Sequence, residues 1–387
     1  MATTAVHLNP PEPARRQSKA QLRELLAARP DLAARVQVIR DVGRRVRACE
    51  VHLTTTCNIR CKGCWYFEGG FDAAVPETSD LGLIRDFVEK LYASGVTQAT
   101  LIGGEPTLVL NRVKPFVERL PYITISTNGL RPLPREGFEN VAVAISLFGG
   151  GPLDDDLRAH RPNGSTFTGL FQKALQHYRD DPRVTFVFAL SEEGLQYVEP
   201  TVRAIEDNGN QVTFNFYSAH GTDNPLRIEN EQRTLAEALR VKEMFPETVV
   251  SHPYFIEALI TGRTHWGGRF GYDVCPSISV ELPEHGQRML NGHPVIDGFA
   301  VYGADYKTLQ FCCTSGDCGG CRDSQAVYTW LVVSMNRFLN SGERLETWIE
   351  LAEAYWRQWF WSQRHSPNFA RRSAPRRLSE RQTETCP

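Results

Sequence analysis

The chain has 387 residues, of which 41% are hydrophobic and 23% charged, close to the average for a folded globular protein. Its 43 Lys and Arg residues nearly balance 45 Asp and Glu residues, which gives a net charge of −2. This charge provides no overall positive potential that would attract nucleic acid or anionic lipid. No stretch approaches the roughly 18 apolar residues that cross a bilayer, and the N-terminus lacks a secretory signal. The sequence therefore predicts a cytoplasmic protein of two or three structural units.

The first part of the chain is predicted to be a helical extension. Residues 1–17 are proline-containing and poor in apolar side chains, which is typical of a disordered lead-in. Residues 18–49 carry two amphipathic helical patterns, the first beginning at a capping box of Ser18 and Gln21. The second begins at Pro30, a residue well suited to the first turn of a helix.

From about residue 50 the pattern changes to alternating strands and helices. The predicted strands are 51–56, 97–102, 122–126, 141–147, 184–190 and 212–217. β-branched runs separated by longer amphipathic segments favour parallel β–α–β units. Six such units over residues 50–225 predict an α/β fold, either an open doubly wound sheet or a partial barrel. In both folds ligands bind at the carboxyl ends of the strands.

After residue 225 the alternation stops. Residues 226–363 are predicted to hold helices at 229–245 and 253–260, followed by a loop-rich region from about 262 to 325. A helical aromatic stripe then consists of Leu345, Trp348, Ala352, Tyr355 and Trp359. Its mixed charges favour packing on the domain over lying on a membrane. The Arg-rich tail, 364–387, is predicted to be solvated, with a nucleic-acid-binding arm as the alternative.

Eight of the ten cysteines fall into two groups, and Cys49 and Cys386 stand apart. One group is Cys57, Cys61 and Cys64, and the other is Cys275, Cys312, Cys313, Cys318 and Cys321. Because a reducing cytosol disfavours structural disulfides, such groups indicate metal binding or redox work.

The first cysteine group directly follows the first predicted strand. Three thiolates on one short loop suit three corners of a cubane iron–sulfur cluster, whereas a complete structural cluster takes four. The fourth iron would then accept an outside ligand, as catalytic metal sites do. The alternatives are a coincidental cysteine run or a zinc site, which would need a fourth local ligand.

The spacing of Cys57, Cys61 and Cys64 resembles that of the radical S-adenosylmethionine (SAM) superfamily, over residues 50–220. The resemblance implies a (β/α)6 partial TIM barrel with a [4Fe–4S] cluster whose free iron is chelated by SAM. Reduction by a low-potential donor of the flavodoxin or ferredoxin type would split SAM, and the 5′-deoxyadenosyl radical would take hydrogen from a substrate.

Further motifs follow at the ends of later strands. Gly103-Gly104-Glu105-Pro106 resembles the family's glycine-glycine-glutamate-proline motif, in which a carboxylate accepts hydrogen bonds from the methionine ammonium. Related enzymes place polar groups around SAM at the positions of Ser126, Asn128 and Ser146, and an arginine against its carboxylate at the position of Arg158. An ordinary Asn-Gly turn and a surface arginine are the alternatives.

One position departs from the family pattern. The residue before the third cysteine is usually aromatic and cradles adenine, but here it is Gly63. Trp65, Tyr66 and Phe67 follow, and we expect Tyr66 or a neighbour to provide the stacking surface.

The second cysteine group resembles an incomplete version of the C-terminal extensions called SPASM and twitch. The count fits one auxiliary iron–sulfur cluster held by Cys275, Cys318, Cys321 and either Cys312 or Cys313, with zinc as the alternative. Such a cluster would accept an electron, anchor substrate or be structural. The spare Cys312 or Cys313 is a candidate hydrogen-atom donor.

These features predict a radical SAM enzyme acting on a small molecule by oxidation, epimerisation or rearrangement in specialised metabolism. Asn215, Tyr217 and His220 lie near the end of the sixth strand, where either substrate contact or a core role is open. Peptide-modifying relatives often carry a leader-recognition domain of roughly 80 residues, for which the 50 residues before the barrel are too few. Modification of a ribosomal peptide is the enzymatic alternative, and a non-catalytic iron–sulfur or zinc protein is the alternative of another class.

Overall fold

The computed structural model describes residues 12–216, 230–263, 300–308 and 324–360. The strands are Ala48–Thr54 (β1), Gln98–Gly103 (β2), Tyr122–Thr127 (β3), Val141–Phe148 (β4), Val184–Leu190 (β5), Gln211–Phe216 (β6) and Ala300–Tyr302 (β7). The helices before β4 are Glu12–Ala28 (α1), Pro30–Arg45 (α2), Trp65–Glu68 (α3), Phe71–Ala74 (α4), Leu81–Ala93 (α5) and Leu110–Arg119 (α6). Those after it are Gly151–Arg158 (α7), Leu170–His177 (α8), Leu195–Asp207 (α9), Glu231–Met244 (α10), Pro253–Thr261 (α11), Ser324–Val333 (α12) and Gly342–Trp359 (α13).

The strands form one parallel sheet in the order β6-β5-β4-β3-β2-β1-β7. The first six strands are neighbours in chain order, which confirms the predicted α/β partial barrel. A seventh strand, β7, pairs with β1 in the register Cys49 to Ala300 and Val51 to Tyr302. The sequence placed this segment in a loop-rich region, and that expectation is wrong there. A three-residue strand has too short a pattern to signal itself, and its pairing depends on a distant partner.

Side chains alternate between the two faces of the sheet. The outward residues of β1 to β6 are apolar and pack with the surrounding helices; they include Val51, Leu101, Ile125, Ile145, Phe186 and Phe214. The inward residues are smaller and more polar; they include Glu50, Thr100, Thr124, Ser126, Ser146 and Asn215. Because successive strand residues point to opposite faces, this alternation makes a hydrophobic outer layer around a polar interior.

A second apolar core lies among α2, α11, α12 and α13. The aromatic stripe of α13 is part of it: Trp348 is 1% exposed, and its Nε1 donates to Val332 O at 2.9 Å. The prediction that this stripe packs on the domain is confirmed. The Thr124 hydroxyl donates to Trp359 O at 3.0 Å, which ties the end of α13 to the inner face of β3.

The N-terminal helix begins earlier than expected. α1 starts at Glu12, so Ser18 lies inside the helix and the predicted capping box is wrong. Pro13 falls in the first turn, where a missing amide hydrogen costs nothing and the fixed φ suits the helix. Within the ranges given above, no helix is both long enough and apolar enough to cross a bilayer.

Candidate active site

The loop that carries the first cysteine group runs from the end of β1 to the start of α3. Arg60 N donates to His160 O and Lys62 N donates to Leu157 O, both at 2.7 Å, so the loop is bound along the end of α7. Gly63 has a φ of 75°, a left-handed conformation that glycine adopts without strain. This turn presents Cys61 and Cys64 to the same cavity as Cys57.

The three thiols are unpaired cysteines that interact with one another. Burial raises the pKa of Cys57 to about 11 and that of Cys61 to about 12, and it also raises the pKa of Cys64. The negative charge of a Cys64 thiolate raises the pKa of Cys57 and Cys61 further, and that of a Cys57 thiolate raises the pKa of Cys61. Within the part of the chain that the structure describes, no three His, Cys, Asp or Glu side chains converge as ligands of a single metal ion.

Two glycines let the end of β2 approach the cysteine loop. A Cβ on Gly103 would lie 2.5 Å from Thr54 O, and one on Gly104 would lie closer still to Thr56 O. Because neither glycine carries a Cβ, Gly104 N can donate to Thr54 O at 2.7 Å and Glu105 N can donate to Thr56 O at 2.8 Å. The motif therefore joins two strand ends directly.

The Glu105 carboxylate is 1% exposed and organises the ends of β2 and β3. Oε1 accepts from Thr107 N at 3.1 Å, the Thr107 hydroxyl at 2.6 Å and the Thr127 hydroxyl at 2.7 Å. Oε2 accepts from Asn128 N at 2.8 Å. The sequence interpretation missed Thr127 and the backbone of Asn128 as partners. The predicted contact between Glu105 and a methionine ammonium stays a prediction, as does a role for Pro106, which starts a short 3₁₀ turn.

Asn128 connects the third strand to the cysteine loop. Its Nδ2 donates to Asn58 Oδ1 at 2.7 Å and lies 3.9 Å from Cys57 Sγ. Its Oδ1 accepts from Leu130 N, so Asn128 also makes the ordinary Asn-Gly turn that was the alternative. Both Asn128 and Ser126 line the cavity.

Arg158 is not a surface arginine, because its side chain is only 2% exposed. Nη1 donates to the backbone oxygen of Ser146 and lies 3.3 Å from Asp154 Oδ1. The guanidinium also lies beside Cys61, whose pKa it lowers against the larger effect of burial. Arg158 and Ser146 therefore line the cavity next to the cysteine loop, where the sequence placed them.

The aromatic residues after Cys64 differ in exposure. Tyr66 is 1% exposed, and its hydroxyl donates to Thr54 O at 3.3 Å. Its ring packs edge-on against His52, with 5.3 Å between the ring centroids. Trp65, Tyr66 and Phe67 all reach the cavity wall, and Trp65 and Phe67 are less buried than Tyr66. The predicted stacking of adenine on Tyr66 or a neighbour stays a prediction.

The cavity extends from the cysteine loop into the barrel and encloses about 270 Å³. Its wall inside the barrel is made by Glu50, Thr100, Thr124, Asn215 and Trp359. The sequence interpretation singled out Asn215 but missed the others, although the alternation of polar and apolar residues in each strand was the signal for them. Tyr217 and His220 lie outside the described residues, as do Cys275, Cys312, Cys313, Cys318 and Cys321. The auxiliary cluster therefore stays a prediction.

No family model matches the chain, but curated proteins match part of it. A GTP 3′,8-cyclase of Alkaliphilus oremlandii is 33% identical over 98 residues, which are 24% of this chain and 30% of that protein. Molybdenum cofactor biosynthesis protein 1 of Drosophila melanogaster is 33% identical over 119 residues, which are 27% of this chain and 20% of that protein. Over these stretches the chain is similar to both proteins, in agreement with the resemblance to the radical SAM superfamily that its cysteine spacing predicts.

The similarity concerns only part of each protein, since the chain spans less than a third of the length of these two relatives. A solved structure of histidine-tagged anSMEcpe with bound AdoMet covers 73% of this chain and 77% of its own, with 13% identity and a TM-score of 0.45. That score is low, and the description of the fold rests on the strand order and the polar interior given above.

Proposed function

We propose that the chain is a radical SAM enzyme whose Cys57, Cys61 and Cys64 hold a [4Fe–4S] cluster and whose barrel interior binds a small-molecule substrate. The chief support is that three thiols from one loop line the same cavity as the motif around Glu105 and the buried Arg158. Three thiols on one loop are one fewer than a complete structural cluster uses, so an outside ligand can complete the site.

The residues present fit these cofactors. Cys57 is buried, Cys61 and Cys64 are partly buried, and all three line one cavity. A bound cluster would stabilise their thiolate forms, which desolvation otherwise disfavours. The chemistry that the cluster and SAM supply is reductive cleavage of the sulfonium to a 5′-deoxyadenosyl radical, which removes a hydrogen atom from the substrate. The reductant would be a low-potential donor of the flavodoxin or ferredoxin type.

The barrel interior favours a small polar substrate. Its hydroxyl and amide groups come from several strands, and Thr100, Thr124 and Asn215 are examples whose donors and acceptors are held by a rigid sheet. The cavity of about 270 Å³ would have to hold SAM as well, so we propose a substrate no larger than one small molecule or one side chain of a peptide. Oxidation, epimerisation or rearrangement of such a molecule in the cytoplasm is the proposed activity.

Anaerobic cleavage of SAM is the decisive experiment. Chain reconstituted with iron and sulfide is expected to release 5′-deoxyadenosine when given SAM and dithionite. The triple Cys57→Ala, Cys61→Ala and Cys64→Ala variant should release none and lose the absorbance of the first cluster. Cys49→Ala is the matched control, because Cys49 is a buried β1 thiol on the outward face of the same sheet.

The outcomes separate the alternatives. A non-catalytic iron–sulfur or zinc protein predicts no 5′-deoxyadenosine from the wild-type chain, and that result would overturn the proposal. Iron and sulfide content in the triple variant reports whether the second cysteine group holds a cluster of its own. A SAM-dependent mass change in a peptide pool rather than a small-molecule pool would move the substrate to the ribosomal-peptide class.

A further inference from the structure

Asp154 and Arg158 form an ion pair on the inner side of α7. They are four residues apart, so one helical turn places them on the same face, and Nη1 lies 3.3 Å from Oδ1. Their side chains are 0% and 2% exposed. Since two charges taken out of water each carry a desolvation cost of several kcal/mol, packing by itself does not account for a pair at this place.

Asp154 is fixed by the end of β4. Its Oδ1 accepts from Phe148 N at 2.6 Å, and a turn of three glycines with positive φ, 149–151, brings α7 back over the strand. Arg158 is fixed at the same point, because Nη1 also donates to the backbone oxygen of Ser146. The guanidinium is therefore held between α7 and the last residues of β4.

The held guanidinium lines the same cavity as Cys61, so its positive charge lies on the side of the site where this thiol would hold the cluster. Two polar atoms of the pair, Arg158 Nε and Asp154 Oδ2, are buried without a hydrogen-bond partner among the described residues. Buried polar groups normally find partners, and one left unpaired destabilises the fold. The ion pair of Asp154 and Arg158 therefore destabilises the fold, which indicates that it has a role at the neighbouring cysteine site.

We propose that Asp154 is a positioning residue that holds the Arg158 guanidinium against Cys61, and that this pair sets the reduction potential of the cluster. The inference rests on the proposed function, since it requires the cysteines to hold an iron–sulfur cluster. Reduction adds a negative charge to the cluster, so a positive charge and a hydrogen bond at a ligand sulfur stabilise the reduced state and raise the potential.

The sign of the effect distinguishes positioning from a simple charge effect. A carboxylate acting only through its own charge lowers the potential, so its removal in Asp154→Asn would raise it. A carboxylate that positions the guanidinium has the opposite effect when removed, because the positive charge then leaves Cys61. Asp154→Asn is therefore expected to lower the potential, as Arg158→Met does.

The test is a redox titration of the reconstituted chain in the absence of SAM. The electron paramagnetic resonance signal of the reduced cluster measures the extent of reduction. The second cysteine group contributes its own signal, which the triple cysteine variant identifies. At a fixed potential, we expect the ratio of reduced to oxidised cluster to fall at least tenfold in Arg158→Met and in Asp154→Asn, about 59 mV for a one-electron couple. The double variant should fall no further. Glu89→Gln is the control, since Glu89 is a 61% exposed carboxylate on α5 that pairs with Arg119 rather than with the cysteine loop.

Each result decides the matter. An unchanged or raised potential in Asp154→Asn, or an unchanged potential in Arg158→Met, overturns the inference. If Asp154→Asn retains no cluster, Asp154→Glu replaces it, because the longer carboxylate keeps the charge but displaces the guanidinium; an unchanged potential there also overturns the inference. A wild-type chain that holds no cluster at Cys57, Cys61 and Cys64 contradicts the proposed function instead, whereas a normal cluster with an unmoved potential contradicts this inference alone.

Discussion

Glu77 is predicted to hold the start of the cysteine loop, and Glu77→Gln is expected to loosen it. The carboxylate accepts from the Thr54 hydroxyl at 3.1 Å, and from Thr55 N and the Thr55 hydroxyl at 2.7 Å. It also pairs with Arg112, whose Nη1 donates to Leu53 O at 3.3 Å. One side chain therefore binds the last residues of β1 just before Cys57.

The magnitude follows from burial. The side chains of Arg112 and Glu77 are 10% and 20% exposed, so the pair is mostly buried. An exposed ion pair contributes at most about 1 kcal/mol to stability, whereas breaking a fully buried one costs about 3–5 kcal/mol. Glutamine keeps one acceptor for Thr55 but loses the charge. We therefore expect Glu77→Gln to lower the free energy of unfolding by about 3 kcal/mol.

Denaturant unfolding of the apo chain measures this loss, and iron content after anaerobic reconstitution measures its effect on the loop. The matched control is Glu89→Gln, because Glu89 is 61% exposed and pairs with Arg119 on the surface. The control should change stability by no more than about 0.5 kcal/mol. Equal effects of the two substitutions would refute the reasoning.

The ion pair between Glu77 and Arg112 should also make the stability of the chain depend on pH. Burial alone would raise the pKa of Glu77, but hydrogen bonds from Thr55 and the charge of Arg112 outweigh it and hold the pKa below 4.5. A depressed pKa means stabilisation that is present above pH 4.5 and lost as the pH falls through the folded-state value. Wild-type stability should therefore fall more steeply below pH 4.5 than that of Glu77→Gln.

Two further predictions concern the framework of the site. In Gly104→Ala the added Cβ would clash with Thr56 O, so the backbone must move. We expect a destabilisation of about 2 kcal/mol and a lower iron content after reconstitution. Gly342→Ala is the control and should leave the iron content unchanged, because its added Cβ lies 3.9 Å from the nearest side chain. Arg183→Met removes the buried partner of Asp181, which is 3% exposed and keeps only the more distant Arg135 at 3.5 Å. It should cost about 3 kcal/mol in denaturant unfolding, and a loss below about 1 kcal/mol would contradict the role of that pair.

Much of the site was readable from the order of short motifs. Cys57, Gly104 and Asn128 each follow a strand, and parallel strands bring their carboxyl ends to one edge of a sheet. The structure confirms the fold and brings these residues to one cavity. Their contacts with SAM stay predictions.

Other features had no readable signal, because their partners are distant in the chain. β7 is only three residues long, and Glu77 and Arg112 carry no motif. The burial of Arg158 was open as well, since an arginine at the end of a helix is compatible with solvent or with a cavity.

The sequence by itself determined the strand–helix alternation, the three-cysteine loop and the chemistry that its thiols suit. Periodicity and ligand spacing are local properties, so they can be read along the chain. Only the tertiary structure decided that Glu105 is bound by Thr127 and Asn128, and that Arg158 lies against Cys61 with Asp154 behind it. Those contacts form between side chains that are distant in the sequence. They depend on how whole helices and strands pack together, and the sequence of a single helix or strand does not reveal that packing.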